Sequence, residues 1–173
     1  MSADDASLKD ARDQLTLVLS FFSRVDGKLS TLLAVDTGML AALSASVPPL
    51  SRVSPWMAIC PILASALIVT SYVYLYKGAF PHVKGGQGSV IYLAEIAKRT
   101  EARFIEEYCK RTQEELRRDV LGQVWRNSEI LTAKYHSLKI SFVCTALSAI
   151  PWAMSLAVFA LAHAHMQVMV PQP

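Results

Sequence analysis

Three stretches of this chain carry almost no charge, and that distribution constrains the fold more than any motif does. Between Lys28 and Arg52 the only charged residue is Asp36, between Arg52 and Lys77 there is none, and after Lys139 there is none apart from His163 and His165. A helix needs about 20 apolar residues to cross the ~30 Å hydrocarbon core of a bilayer, and each stretch is long enough. The 53% hydrophobic content is concentrated in them, within 173 residues that fit one domain. The expected fold is an all-α membrane protein with three transmembrane helices, over about 29–47, 56–76 and 140–163. Residues 77–139 and the N-terminal helix form a cytoplasmic helical module. Residues 1–165 are read as a single membrane domain, with a disordered tail over 166–173.

Residues 1–28 begin acidic, with Asp4, Asp5, Asp10 and Asp13, unlike a basic signal peptide. Apolar residues at Leu8, Ala11, Leu15, Val18, Phe22, Val25, Leu29 and Leu32 follow the 3,4 spacing of a packed helix face. The next position on that stripe is Asp36, so the acid is expected on the packing face, with Lys28, Lys139 or a hydroxyl such as Ser141 as candidate partners. Gly27 allows a bend at the water–membrane boundary. Pro48 and Pro49 end the helix, and the short connection to Pro55 makes the first two spans antiparallel neighbours. Trp56 at one end and Tyr72, Tyr74 and Tyr76 at the other give the second segment an aromatic belt.

The stretch Gly85–Ser89 (GGQGS) invites a phosphate-loop reading, but it lacks the lysine and serine spacing and the preceding strand that such a loop needs, so a linker is expected over 78–89. Val90–Arg99 and Glu101–Arg111 read as short helices. Thr112 and Glu115 form a capping box that starts a new one. That helix continues through Leu121, Val124, Ser128, Leu131, Tyr135 and Leu138 at 3,4 spacing into the third apolar segment, which Pro151 should kink.

Of 17 lysines and arginines, 4 precede the first span, 1 (Arg52) lies in the first connection, 12 lie from Lys77 to Lys139 and none follows the third span. The positive-inside rule then puts the N-terminus and the middle region in the cytoplasm and the C-terminus outside. The net charge of +3 is too mild to argue for nucleic acid. Cys60, Cys109 and Cys144 have no metal-ligand spacing, and His82, His136, His163 and His165 are dispersed. No metal, no cofactor and no enzyme activity are expected. Intramembrane acids are costly and default to a functional hypothesis, and Asp36 is the sharpest such candidate beside the alternative of a paired acid that fixes register. Lys98, Arg99, Arg117, Arg118, Arg126 and Lys134 are candidates to line a cytoplasmic anion site. The competing reading is a solvated face with local pairs such as Glu114 with Arg118.

Three stretches resemble the Pycsar effector transmembrane (PycTM) family of bacterial anti-phage defence: VDGKLSTLLAVDTGMLAAL with Asp26 and Lys28, IYLAEIAKRT, and QVWRNSEILTAKYHSLKIS with Lys134. Their order and spacing carry the resemblance over most of residues 14–162, and Ile91-Tyr92 departs from the family's usual aromatic pair. The resemblance implies an inner-membrane effector that responds to a cyclic pyrimidine mononucleotide, cCMP or cUMP, made by a partner cyclase, and that impairs membrane integrity to abort infection. Membrane lipid and further copies of the chain are the other implied partners. Asp26, Lys28, Arg126 and Lys134 are then candidate ligand contacts, with Asp26, Lys28 and Lys134 alternatively a structural ion-pair set. The alternatives are a ligand-independent scaffold or accessory subunit and an ion-conducting bundle using Asp36.

Overall fold

A computed structural model describes residues 3–49, 54–80 and 86–168. The expectations for His82 and for residues 169–173 of the tail lie outside them. Five helices account for most of the described chain: α1 (Ala3–Ala45), α2 (Pro55–Ala79), α3 (Leu93–Ile96), α4 (Glu101–Cys109) and α5 (Gln113–Val168). No strand occurs among the described residues. The chain divides into two compact units, Met1–Asp26 with Pro81–Lys134 and Gly27–Phe80 with Tyr135–Pro173.

The charged unit has a small apolar core. Leu8 and Ala11 of α1 pack with Val90 and with Leu116 and Val120 of α5, and Leu15, Ile91 and Phe104 lie against them. The α1 stripe is therefore a packing face, as its spacing predicts, with Val25 fully buried. The capping box forms: Glu115 N donates to Thr112 Oγ1 at 3.3 Å and Thr112 N to Glu115 Oε2 at 2.8 Å. The helix expected over Val90–Arg99 shrinks to Leu93–Ile96. Val90 N donates instead to Asp119, and the amides of Ile91 and Tyr92 donate to the Ser89 hydroxyl. With those donors satisfied by side chains, no helical turn is needed to pair them.

The apolar unit is built with its large side chains outward. The most apolar 18 residues of α2 average a hydropathy of 1.9, yet only 22% of them are buried inside the protein. Its buried residues are Ala64, Ile68, Ser71, Leu75 and Gly78, while Trp56, Ile59, Ile62, Leu63 and Val69 are exposed. The same inversion holds in α5, where Phe142, Leu147, Ile150 and Met154 are exposed and Ser141, Ser148 and Ser155 are at most 1% exposed. Helices that pack in an apolar solvent gain nothing from hiding leucines, so they meet through small residues that let backbones approach. Two helices, Pro55–Ala79 and Gln113–Ala164, are long and apolar enough to cross a membrane.

The 3,4 stripe of α5 is only partly covered: Leu121 and Tyr135 are 47% and 39% exposed, and Val124, Ser128, Leu131 and Leu138 are half-buried. The buried face runs instead through Leu116, Val120, Gln123, Lys134, Ser137, Ser141, Thr145 and Ser148. Two smaller differences concern glycine and tyrosine. α1 runs through Gly27 without interruption, and Tyr72 is half-buried, its hydroxyl 2.9 Å from Thr37 Oγ1.

Gly78 marks the closest approach. A Cβ there would lie 3.2 Å from both Leu29 Cδ2 and Ser137 Cβ, side chains of α1 and α5. Gly78→Leu should therefore destabilise the apolar unit by about 1–3 kcal/mol, the usual cost of overpacking. Unfolding of the purified protein in detergent, followed by tryptophan fluorescence, measures it, and wild-type stability would be the wrong result.

Candidate functional site

Inside the apolar unit Asp36 is fully buried. Its partner is none of Lys28, Lys139 or Ser141. Thr145 Oγ1 donates to Asp36 Oδ1 at 2.8 Å. The Thr145 hydroxyl has one proton to give, so its 3.2 Å contact with Ser71 Oγ is one in which Ser71 donates. Ser141 Oγ in turn donates to the Ser71 carbonyl at 2.9 Å. A chain Ser71–Thr145–Asp36 thus ties α2, α5 and α1 together. Trp152 Nε1 adds a bond to the Met39 carbonyl at 2.8 Å. A hydroxyl was among the expected kinds of partner, and Thr145 supplies it, with the Ser141 carbonyl at 3.0 Å a competing acceptor for its single proton. Asp36 Oδ2 has no hydrogen-bond partner among the described residues. A buried polar atom left without a partner costs about 1–3 kcal/mol, so Asp36 Oδ2 is the least satisfied atom of this chain of bonds.

In the charged unit two predicted residues meet. Lys134 Nζ donates to Asp26 Oδ1 at 2.5 Å and stands 5.7 Å from the centre of the Phe22 ring. The lysine side chain is 7% exposed and the aspartate 50%. Lys28 is exposed and no ion pair to it occurs among the described residues, so it does not join this set. Most of the other basic candidates are paired locally: Lys98 with Glu95, Arg99 with Glu107, Arg117 with Glu114 and Arg126 with Glu129. Glu114 thus pairs with Arg117, one residue short of the expected Arg118. Arg118 is exposed with no ion pair among the described residues.

A cleft of about 550 Å³ lies on this unit, between Gly86–Ser89 and the face of α5 that carries Arg118, Gly122, Trp125 and Arg126. Its loop is the described part of the presumed linker, and it is held firmly. Gly86 and Gly88 adopt φ of 76° and 75°, a conformation that favours glycine. A Cβ on Gly86 would also come within 2.7 Å of the Tyr92 ring. Arg99 Nη1 donates to the carbonyls of Ser89 and Glu95 at 2.9 and 2.8 Å, Gly88 N donates to Glu95 at 3.2 Å and the Gln123 amide reaches Ser89 Oγ at 3.4 Å. Arg126 Nε is buried and has no hydrogen-bond partner among the described residues. Sequence reasoning singled out Arg126 but not the cleft. The signal was the Gly-Gln-Gly run, which marks two left-handed positions as well as a linker does.

Neither region resembles a metal centre. Among the described residues no three His, Cys, Asp or Glu side chains gather. Cys60, Cys109 and Cys144 are free, and His163 Nδ1 contacts the Phe159 carbonyl of its own helix at 2.8 Å.

Residues 10–162 match the Pycsar effector protein domain (PycTM). The chain belongs to the Pycsar effector family. The match spans nearly all of α1, all of α2, α3 and α4, and most of α5. Family membership and the two apolar helices together make this Pycsar effector a membrane protein of anti-phage defence. No curated protein and no solved structure matches it.

Two measurements probe this geometry. Asp26→Ala leaves the buried Lys134 ammonium without its carboxylate, whereas Lys134→Met leaves only a half-exposed aspartate. Breaking a buried pair costs about 3–5 kcal/mol; with Asp26 half in solvent, about 1–3 kcal/mol is expected for Asp26→Ala, and less for Lys134→Met. Equal losses would contradict the asymmetry. The second concerns pH. Hydrogen bonds from Lys98, Arg103 and Thr112 lower the carboxyls of Glu95, Glu107 and Glu115, respectively, below their ordinary 4.5. A carboxylate that binds its proton less readily folded than unfolded stabilises the fold fully above the ordinary value and loses that contribution as pH falls. The stability of the charged unit should therefore hold from pH 7 to about 5 and decline as pH falls below 4.5, measured by urea unfolding at a series of pH values.

Proposed function

We propose that this chain is a ligand-gated membrane effector: a cyclic pyrimidine mononucleotide, cCMP or cUMP, engages the charged helical unit and the apolar unit then impairs the inner membrane. The observation that carries this reading is the family match over residues 10–162, which takes in residues of both units. The charge distribution supports an arrangement with three spans, the first formed by the C-terminal part of α1 from about residue 29. The N-terminus and residues 77–139 then lie in the cytoplasm, where the nucleotide is made, and the C-terminus lies outside. Helices α1 and α5 contribute residues to both units, which gives a ligand bound on one a covalent route to the other. A ligand shifts such an equilibrium only by its differential affinity for the two states. Further copies of the chain in the bilayer are part of the proposal, since outward apolar faces on α2 and α5 suit lipid or a like neighbour. The chain acts by binding, with no reaction of its own.

Release of a trapped dye from liposomes containing the purified protein tests the reading. Micromolar cCMP or cUMP should trigger release, and cAMP and cGMP should not. Release that needs no cyclic nucleotide would sink the ligand-gated reading, and no release under any nucleotide would sink it and favour a scaffold.

A second reading has its own observation, the buried and unpartnered Asp36 Oδ2. Here the acid is part of an opened ion path. Asp36→Asn keeps an acceptor for Thr145 while removing the acid. It should leave folding intact and change the conductance of planar bilayers holding the protein. Unchanged conductance and release would make Asp36 a register-holding residue.

A further inference from the structure

We infer that the cleft between Gly86–Ser89 and α5 is where the nucleotide binds, its phosphodiester addressed by Arg118 and Arg126 and its base stacked on Trp125. The assignment rests on the ligand-gated reading above, and it names the site that reading needs.

The cleft has the size of a small-molecule site, within the usual range of about 300–1,000 Å³. Its wall on α5 follows from helical spacing. Arg118, Gly122 and Arg126 recur every four residues and Trp125 falls three after Gly122, so all four share one face. The two arginines stand one turn on either side of the glycine. Gly122 supplies the room between them: a Cβ placed there would meet nothing within 4 Å. Gly88, on the opposite wall, is equally open. Glycine lowers helix stability at an interior position, and here it leaves the floor of the cleft clear.

The donors suit an anion. Arg118 has no ion pair among the described residues, and Arg126 gives Nη1 to Glu129 while its Nε stays buried without an acceptor. A guanidinium with free N–H groups is the preferred partner of a phosphate. The carboxylates on the wall are already engaged. Asp119 Oδ2 accepts from Val90 N at 2.9 Å, and Glu115 accepts from Thr112 and pairs loosely with Arg111 at 3.9 Å. Glu129 on Arg126 and Glu115 on Arg111 occupy two of the three guanidiniums at the cleft, which leaves Arg118 as the one without an ion pair among the described residues. The Trp125 indole is 65% exposed and borders the cleft. An exposed aromatic face beside the free Arg118 guanidinium fits a planar base joined to a phosphate, because every base can stack on it. The loop is pre-organised by its hydrogen bonds to Arg99, Glu95 and Asp119, so little ordering cost falls on the ligand.

Calorimetric titration of cCMP and cUMP into the full-length protein in lipid nanodiscs tests the assignment, with dye release measured on the same samples. Arg118→Ala should weaken binding about 10- to 100-fold, the loss expected of hydrogen bonds to a charged group. Trp125→Ala should weaken it about 5- to 100-fold. Gly122→Leu puts a bulky side chain between the two arginines and should weaken binding at least about 10-fold. Its helix is expected to be at least as stable as in the wild type, read by circular dichroism, so loss of binding would not reflect misfolding. Gly122→Ala adds a single methyl and should keep both binding and release. If the wild type binds and all three site variants bind equally well, the cleft is not the site while the ligand-gated reading stands. If the wild type binds no cyclic nucleotide, that reading falls and the assignment with it.

Discussion

The apolar unit depends on one hydrogen-bonded chain, Ser71 to Thr145 to Asp36. Its helices present leucine, isoleucine and valine outward, so hydrophobic burial does little to hold them to one another. What remains is close packing through small residues and polar bonds between helices. Ser71, Thr145 and Asp36 supply one such group from each of α2, α5 and α1. Gly78 lets α1 and α5 approach where a side chain would stand between them. The acid is costly to place there and is held by a single donor at one oxygen. Close packing thus works against an incompletely satisfied carboxyl group at Asp36.

The charged unit follows the opposite rule. Leu8, Ala11, Leu116 and Val120 are buried, and the surface is laced with short-range ion pairs such as Arg103 with Glu107 and Lys110 with Glu106. Exposed pairs of this kind are individually weak. Arg99 is different, since its half-buried guanidinium binds Glu107 and two carbonyls and so fixes the Gly86–Ser89 loop. A basic residue in a charged run is usually a solvated side chain; this one is a structural post, while its neighbour in kind, Arg118, is left free.

Much of this was legible in the residues. The 3,4 stripe from Leu8 is the buried face of α1, and it predicts that Asp36 points inward, as it does. The capping box at Thr112 and the helical character of the long middle region follow from local chemistry. The α5 face did not. Its apolar and its hydroxyl residues both recur at helical spacing, and only the surrounding medium decides which set packs. Thr145 was missed as the partner of Asp36 because a hydroxyl 109 positions away leaves no periodic trace. The cleft was missed because it joins a loop and a helix face whose pairing, Val90 N to Asp119, is a contact across 29 positions. The Gly-Gln-Gly run announced special backbone angles without saying what they framed.

The outward leucines and isoleucines of α2 and α5 also govern how the protein must be made. A chain whose folded surface is greasy has no stable soluble form in which to wait. It must enter the lipid while it leaves the ribosome, or it will aggregate with its own copies. A defence protein built this way is therefore in the membrane before any phage arrives.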